Sequence, residues 1–191
     1  MKILFLNGSP RRNGMGAQYL KSMAQMAEEH GNEVTFYNIS QMNIRPCLGC
    51  EVCREKRSCV LPEDDSVRFL EDLQRADVFV VGSPCYIYNV SGQLKMLFDR
   101  IVYGLMKEGK LGLPQPLLKG KRALLVITST APWPFNHLLG YTTGTYRALK
   151  RILDLGGIRI KGCVMRGNTK KVPAFTQKDI KKSHRLMHRV F

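Results

Sequence analysis

Ala76-Asp77-Val78-Phe79-Val80-Val81-Gly82-Ser83-Pro84-Cys85-Tyr86-Ile87-Tyr88-Asn89-Val90-Ser91-Gly92-Gln93-Leu94-Lys95-Met96-Leu97-Phe98-Asp99-Arg100 is the segment on which the fold turns. Val78–Val81 is a short, uninterrupted apolar run, the pattern of a strand buried on both faces. Gly82-Ser83-Pro84 ends it. From Ser91 onward the apolar residues fall at helical spacing, with Leu94, Leu97, Phe98, Ile101 and Leu105 on one stripe, which predicts a helix over Ser91–Leu105. The segment is therefore strand, loop, helix, and the same unit recurs on either side of it.

Upstream, Lys2–Asn7 reads as a strand leaving at Gly8, and Met15–His30 as an amphipathic helix stopped by Gly31. Glu33–Asn38 alternates as a half-buried strand, with Val34 and Phe36 inward. Residues 39–63 look irregular, and Ser66–Ala76 reads as a helix. Downstream, Gly109–Gly120 is a proline-containing loop and Ala123–Ile127 a buried strand. Thr143–Leu155 is a helix ended by Gly156-Gly157, followed by a strand over Ile158–Val164 and a helix over Thr176–Val190. Five strands alternating with helices call for a parallel sheet covered on both faces. Right-handed crossovers then favour the flavodoxin-like strand order 2-1-3-4-5, in which a ligand sits at the switch point between strands 1 and 3. No repeat or linker appears, so 1–191 is read as a single α/β domain with 39–63 as a cysteine-rich insertion loop.

The chain of 191 residues is 44% hydrophobic and 24% charged, which excludes a disordered or collagen-like chain. Its apolar runs fall far short of the roughly 20 residues needed to span a bilayer. The N-terminus reaches Asn7-Gly8 before a secretory apolar region forms, which predicts a cytoplasmic protein. The net charge is +15, unevenly placed: residues 1–99 hold 11 basic and 12 acidic side chains, and residues 100–191 hold 19 and 3. A basic half suits an anionic cofactor, nucleic acid or a membrane surface. No zinc-finger, helix-turn-helix or RNP signature accompanies it, and the tail is read as a solvated helix face, with no nucleic-acid or membrane partner expected.

The first strand runs into Gly8-Ser9-Pro10-Arg11-Arg12-Asn13-Gly14-Met15-Gly16-Ala17 and then a helix. A glycine-rich turn there lets backbone N–H groups converge on an anion, and the helix dipole adds to the attraction. Ser9 can donate its hydroxyl, and Arg11 or Arg12 can pair with a phosphate. The loop lacks the Gly-Lys-Ser/Thr of a Walker loop and the Gly-x-Gly-x-x-Gly of a dinucleotide fold.

Together, Gly8-Ser9-Pro10-Arg11 and the segment 76–100 resemble the NADPH-dependent FMN reductases of the flavodoxin-like superfamily. The resemblance implies that Ser9, Arg11, Arg12, Asn13, Gly14, Met15, Gly16 and Ala17 surround an FMN phosphate. It implies that Pro84, Cys85, Tyr86, Ile87, Tyr88 and Asn89 line the isoalloxazine. Two departures stand out: Gly16 and Ala17 occupy positions where many relatives carry Thr or Ser, and Cys85 replaces an aliphatic residue. In the third strand-end loop, Thr130 and Ala131 are the best placed for flavin contact, while Trp133 and Phe135 would wall the ring or a neighbouring subunit. His137 is read as polar and structural.

Cys47, Cys50, Cys53 and Cys59 form a Cys-x2-Cys-x2-Cys-x5-Cys run. Clustered thiolates are iron–sulfur ligands, and Arg45, Arg54, Lys56 and Arg57 would offset the cluster's negative charge. The segment resembles the iron–sulfur flavoproteins within the same superfamily, which carry a 4Fe–4S cluster on a compact four-cysteine motif. Three readings stay open at this point: such a cluster, a zinc site, or metal-free thiols. The resemblance implies an FMN-dependent oxidoreductase taking electrons from NAD(P)H or ferredoxin, working with a small-molecule or protein redox partner, and assembling as a homodimer or homotetramer. Flavin chemistry needs no side-chain acid or base for hydride transfer, so no catalytic residue is assigned. A basic non-enzymatic binding module and a structural zinc protein are the competing readings.

Overall fold

The computed structural model describes residues 1–191, the side chain of Lys110 excepted. The chain runs β1 (Lys2–Asn7), α1 (Met15–Glu29), β2 (Glu33–Asn38), a 3-10 turn at Ile39–Gln41, α2 (Val52–Lys56), α3 (Asp65–Arg75), β3 (Val78–Pro84), α4 (Gly92–Arg100), α5 (Val102–Leu105) and β4 (Met106–Glu108). It continues through a 3-10 turn, β5 (Pro114–Pro116), β6 (Arg122–Thr128), α6 (Phe135–Leu138), α7 (Tyr141–Gly156), β7 (Arg159–Arg166) and α8 (Gln177–Met187).

Five strands make one parallel sheet in the order β2-β1-β3-β6-β7. Counting only these strands, that is the expected flavodoxin-like order 2-1-3-4-5. Alternate side chains of the central strands feed two separate cores. Leu4, Leu6, Phe79, Val81, Leu125 and Ile127 face α3, α4 and α7. Ile3, Phe5, Val78, Val80, Leu124 and Val126 face α1 and α8. Central strands buried on both sides must be apolar throughout, which is why the sequence shows runs there and not alternation.

Three expectations need correction. The stretch 39–63, read as irregular, holds the 3-10 turn Ile39–Gln41 and the short helix α2, whose two flanking residues Glu51 and Arg57 are both left-handed. The helix read over Ser91–Leu105 is two helices, broken at Ile101, which leaves helical geometry at ψ 11°. Ile101 and Leu105 are buried on both sides of the break, so the apolar stripe runs on while the axis does not. The proline-containing stretch read as loop over Gly109–Gly120 contains β5, paired antiparallel with β4. Pro114 and Pro116 disguise it, because proline lacks an N–H and is tolerated only on strand edges such as this two-stranded ribbon. Among the described residues no helix is long and apolar enough to cross a membrane.

The C-terminal helix is tied to α1 by a buried polar cluster. The Tyr19 hydroxyl, fully buried, donates to Asp179, which also accepts the Thr176 N–H at 3.0 Å and its hydroxyl at 2.7 Å. Arg166 pairs with the same carboxylate at 3.3 Å.

Candidate flavin and thiol sites

The loop after β1 is organised by its own short polar side chains. The Asn7 carboxamide accepts the Ser9 N–H at 3.2 Å and donates to the Arg11 carbonyl at 3.3 Å and to Asn38 at 3.0 Å. Ser9 Oγ accepts the Arg11 N–H at 3.1 Å. Gly8 lies against β3, with its N–H on the Gly82 carbonyl at 2.8 Å; a Cβ there would stand 2.7 Å from that oxygen, so only glycine fits. The loop delivers the chain to Gly14, the N-cap of α1, which has no side chain to cap with, and no acidic residue stands in the first turn. The N–H groups of Met15, Gly16 and Ala17 are thus left without intrahelical acceptors.

Of these, Met15 and Gly16 open onto a cavity of about 220 Å³ at the carboxyl ends of β1, β3 and β6. Ser9, Arg11, Asn13, Gly14, Met15 and Gly16 line it from the first loop, Pro84, Cys85 and Tyr86 from the second, and Thr130 from the third. Arg11 is the one charged residue among them, so the lining is cationic. Of the other residues expected there, Arg12 is exposed and Ala17 fully buried, and neither lines the cavity; nor does Ala131. Ile87, Tyr88 and Asn89 also stand outside the lining. Tyr86 and Asn89 exchange both backbone hydrogen bonds at 3.0 Å, which puts Ile87 and Tyr88 at the tip of a tight turn, both left-handed with φ of 48° and 62°. Ile87 is 91% exposed, and Tyr88 stacks on Tyr141 with centroids 4.9 Å apart. A hydrogen bond shared with Tyr141 holds the Tyr88 hydroxyl above its ordinary pKa.

Sequence reasoning missed Gln18, Thr128, Ser129, Thr169 and Pro173, which complete the lining. Thr128 and Ser129 were legible as the end of a buried strand, where such sheets bind ligands. Thr169 and Pro173 come from the segment after β7, brought in by Thr169, whose N–H and hydroxyl both donate to the Ser129 carbonyl at 3.1 Å. No local signal marks them.

The four clustered cysteines are free thiols; Cys47 and Cys50 are exposed, Cys53 and Cys59 half-buried. Burial pushes the Cys53 thiol up, and the neighbouring Cys59, Cys47 and Cys50 push it further, so all four share one neighbourhood. Among the described residues no three His, Cys, Asp or Glu side chains converge closely enough to hold a metal ion. A cavity of about 400 Å³ borders the loop, lined by Cys47, Cys53, Arg54 and Arg57 on one side and Val102, Tyr103 and Met106 on the other. Cys59 accepts a hydrogen bond from Arg100, whose guanidinium also pairs with Asp64 at 2.9 Å.

Residues 1–139 match the family model for NADPH-dependent FMN reductase. The chain belongs to that family. Among relatives, it is 36% identical over 100 residues to an iron–sulfur flavoprotein of Methanocaldococcus jannaschii, covering 52% of this chain and 51% of that one. It is 30% identical over 160 residues to an iron–sulfur flavoprotein of Archaeoglobus fulgidus, covering 83% and 64%. The match thus spans about half the length of the first relative and less than two thirds of the second. Among solved structures, an FMN-dependent NADH-azoreductase from Bacillus anthracis in complex with FMN superimposes with a TM-score of 0.75 over 100% of this chain and 99% of that one, at 17% identity. An NAD(P)H:quinone oxidoreductase from Methanothermobacter marburgensis gives 0.74 over 100% and 96%, at 20% identity. These two likenesses establish a shared flavodoxin-like fold.

The cavity residues fit the flavin of an FMN reductase. The Met15 and Gly16 N–H groups at a helix start, with Arg11 and Ser9 beside them, suit a dianionic phosphate. Gly16 leaves room where a hydroxyl-bearing side chain is absent: a Cβ there would meet Thr128 only at ordinary contact, 3.6 Å. The thiol loop carries the donor set of a cluster, four cysteines beside a cavity lined by Arg54 and Arg57 and also by Glu51, Asp99 and Glu108, although their sulfurs are not gathered to metal-binding distance among the described residues.

Proposed function

We propose that this chain is an FMN-dependent oxidoreductase that takes electrons from a reduced nicotinamide and hands them to a small-molecule or protein acceptor. The observation that carries the reading is the uncapped N-terminus of α1 opening onto a cavity whose only charge, among the described residues, is Arg11. Bound FMN would supply the redox chemistry, accepting two electrons as hydride and releasing them singly or together. The chain's own residues bind and orient it. Ser9, Arg11 and the N–H groups of Met15 and Gly16 hold the phosphate. Pro84, Cys85 and Tyr86 border the ring, with Thr130 across from them. Ser83 and Thr128 are buried at these strand ends.

The iron–sulfur flavoprotein relatives favour a fuller version, in which Cys47, Cys50, Cys53 and Cys59 hold a 4Fe–4S cluster and reduced ferredoxin is an alternative donor. Partnering with a second copy of the chain is part of the proposal. Tyr86, Ile87, Tyr88, Trp133, Phe135, Leu138 and Leu139 are exposed around the flavin cavity, an apolar rim that suits burial against another subunit.

The test is optical. Purified protein supplied with FMN should show bound-flavin bands that bleach on anaerobic addition of NADH or NADPH. Arg11→Ala should weaken FMN roughly tenfold to a hundredfold, the worth of a charge-assisted hydrogen bond, and leave riboflavin nearly unchanged. Equal losses for both flavins would remove the phosphate assignment, and no flavin binding at all would remove the function.

A further inference from the structure

Arg100 ends α4 and is 2% exposed. Burying a guanidinium is costly unless its charge and donors are matched. One terminal nitrogen reaches Asp64 at 2.9 Å and the Pro62 carbonyl at 3.4 Å, and the other donates to Cys59 Sγ. Its Nε has no hydrogen-bond partner among the described residues.

Asp64 is a heavily shared counter-ion. It caps α3, accepting the Ser66 N–H at 3.0 Å and the Ser66 hydroxyl at 2.5 Å, and it also accepts the Arg45 N–H at 3.0 Å. Its charge is spread over several donors before Arg100 draws on it. A neutral thiol at Cys59 would be a weak acceptor for the remaining guanidinium arm. A sulfur bound to metal keeps its negative charge and would complete the set.

The four cysteines are not equivalent in this respect. Cys47 accepts only a backbone N–H, from Gly49 at 3.4 Å, and among the described residues Cys59 is the one cysteine of the run that takes a side-chain donor. Hydrogen bonds to ligand sulfurs are a lever on cluster potential, and partners beyond the ligands orient them. The donor here comes from the far end of a helix in the main fold, outside the cysteine loop.

We propose that Arg100 is a positioning residue that fixes the Cys59 sulfur and raises the reduction potential of an iron–sulfur cluster held there. The inference rests on the iron–sulfur reading above. The reduced cluster carries one more negative charge than the oxidised one, and a buried cation bonded to a ligand sulfur favours it. Removing that bond therefore makes reduction harder.

The experiment uses full-length protein reconstituted anaerobically with iron and sulfide and loaded with FMN. Iron per chain is measured, and the cluster and flavin midpoints are read in one redox titration. Arg100→Gln should lower the cluster's one-electron reduction constant about tenfold, a 59 mV drop. Arg100→Lys, which keeps a charge for Asp64 but loses the second arm, should shift it in the same direction by less. The flavin midpoint should stay in place, because the FMN loops are separate from Cys59. Selective loss of iron with FMN retained would equally support a role in fixing the sulfur. Full iron with unmoved cluster midpoints in both variants would overturn the proposal. So would joint loss of iron and FMN in both, which would make Arg100 a residue of the fold alone. Failure of the unsubstituted protein to hold iron would overturn the iron–sulfur reading itself, before any variant is made.

Discussion

Replacing Gly16 by Asp separates flavin phosphate binding from the stability of the fold, because the two should move in opposite directions. Position 16 is the second residue of α1, and an added Cβ meets only Thr128 side-chain atoms, at 3.6 and 3.8 Å. The carboxylate would enter a first helical turn that has no acidic residue. Aspartate is a better helix residue than glycine and suits the positive end of the dipole, so flavin-free protein should gain about 0.5–1 kcal/mol. A phosphate monoester carries about −1.5 to −2 charges near neutral pH. Each like-charge pair at about 4 Å costs roughly 1 kcal/mol in water-like surroundings and up to about 4 kcal/mol nearer the protein interior. The penalty on FMN is therefore at least about 1.5 kcal/mol, or roughly tenfold in Kd. Riboflavin has no phosphate and should bind as before. Fluorescence titrations with both flavins, alongside urea denaturation of flavin-free protein, measure all three quantities. An FMN affinity within threefold of the parent, or a parallel fall for riboflavin, would refute the placement of the phosphate on α1.

Tyr19→Phe should cost about 1.5–3 kcal/mol in urea denaturation, since the lost hydroxyl serves the buried Asp179 carboxylate; a change under 0.5 kcal/mol would mean that the cluster does not pin α8 to α1. At Asp64, burial works to raise the pKa, but hydrogen bonds from Ser66, the Arg45 N–H and Arg100 outweigh it and hold the group at about 2, against an ordinary 3.8. A depressed carboxyl stabilises the fold above its unfolded pKa, so about 2 kcal/mol should be lost as pH falls from about 4 to 2. Asp64→Asn should flatten that part of the acid profile, and an unchanged profile would contradict the assignment. On α8, Lys178, Lys181, Lys182 and Arg185 are exposed while Asp179, Ser183, Leu186 and Met187 are buried, the layout of a solvated face. Gel-shift assays at physiological salt should find no submicromolar DNA or RNA complex; a tight complex with a steep salt dependence would reverse that reading.

The parts of the molecule governed by local rules were legible in the chain. Val78–Val81 and Ala123–Ile127 read as strands buried on both faces, and crossover handedness narrowed the strand order to a few. Gly8 through Gly16 stood out as a cavity-lining loop because glycines, Ser9 and arginines stood where a strand meets a helix. What escaped were features decided by distant partners or by backbone sign. Thr169 joins the flavin cavity only through its bonds to Ser129. Ile87 and Tyr88 stand outside its lining at the tip of a turn where both are left-handed, a conformation that a β-branched isoleucine gives no reason to expect. Arg100 looked like one more basic residue after an apolar stripe; its burial beside Cys59 and Asp64 depends on a loop some forty positions earlier in the chain.

Helix α4 acts as a spacer of fixed length. At its start, Ser91 caps the helix and bonds the Gly8 carbonyl of the loop after β1 at 2.5 Å; at its end, Arg100 holds Cys59. Nine helical residues span roughly 13 Å. Deleting or inserting one residue between these anchors would move the far end by about 1.5 Å and swing it by about 100°, carrying the guanidinium off the sulfur. The gap between the flavin loop and the thiol loop is therefore quantised: it can change only by whole turns of three or four residues, about 5.4 Å at a time. Descendants of this sequence are free to vary the surface of that helix but not to adjust its length by small steps.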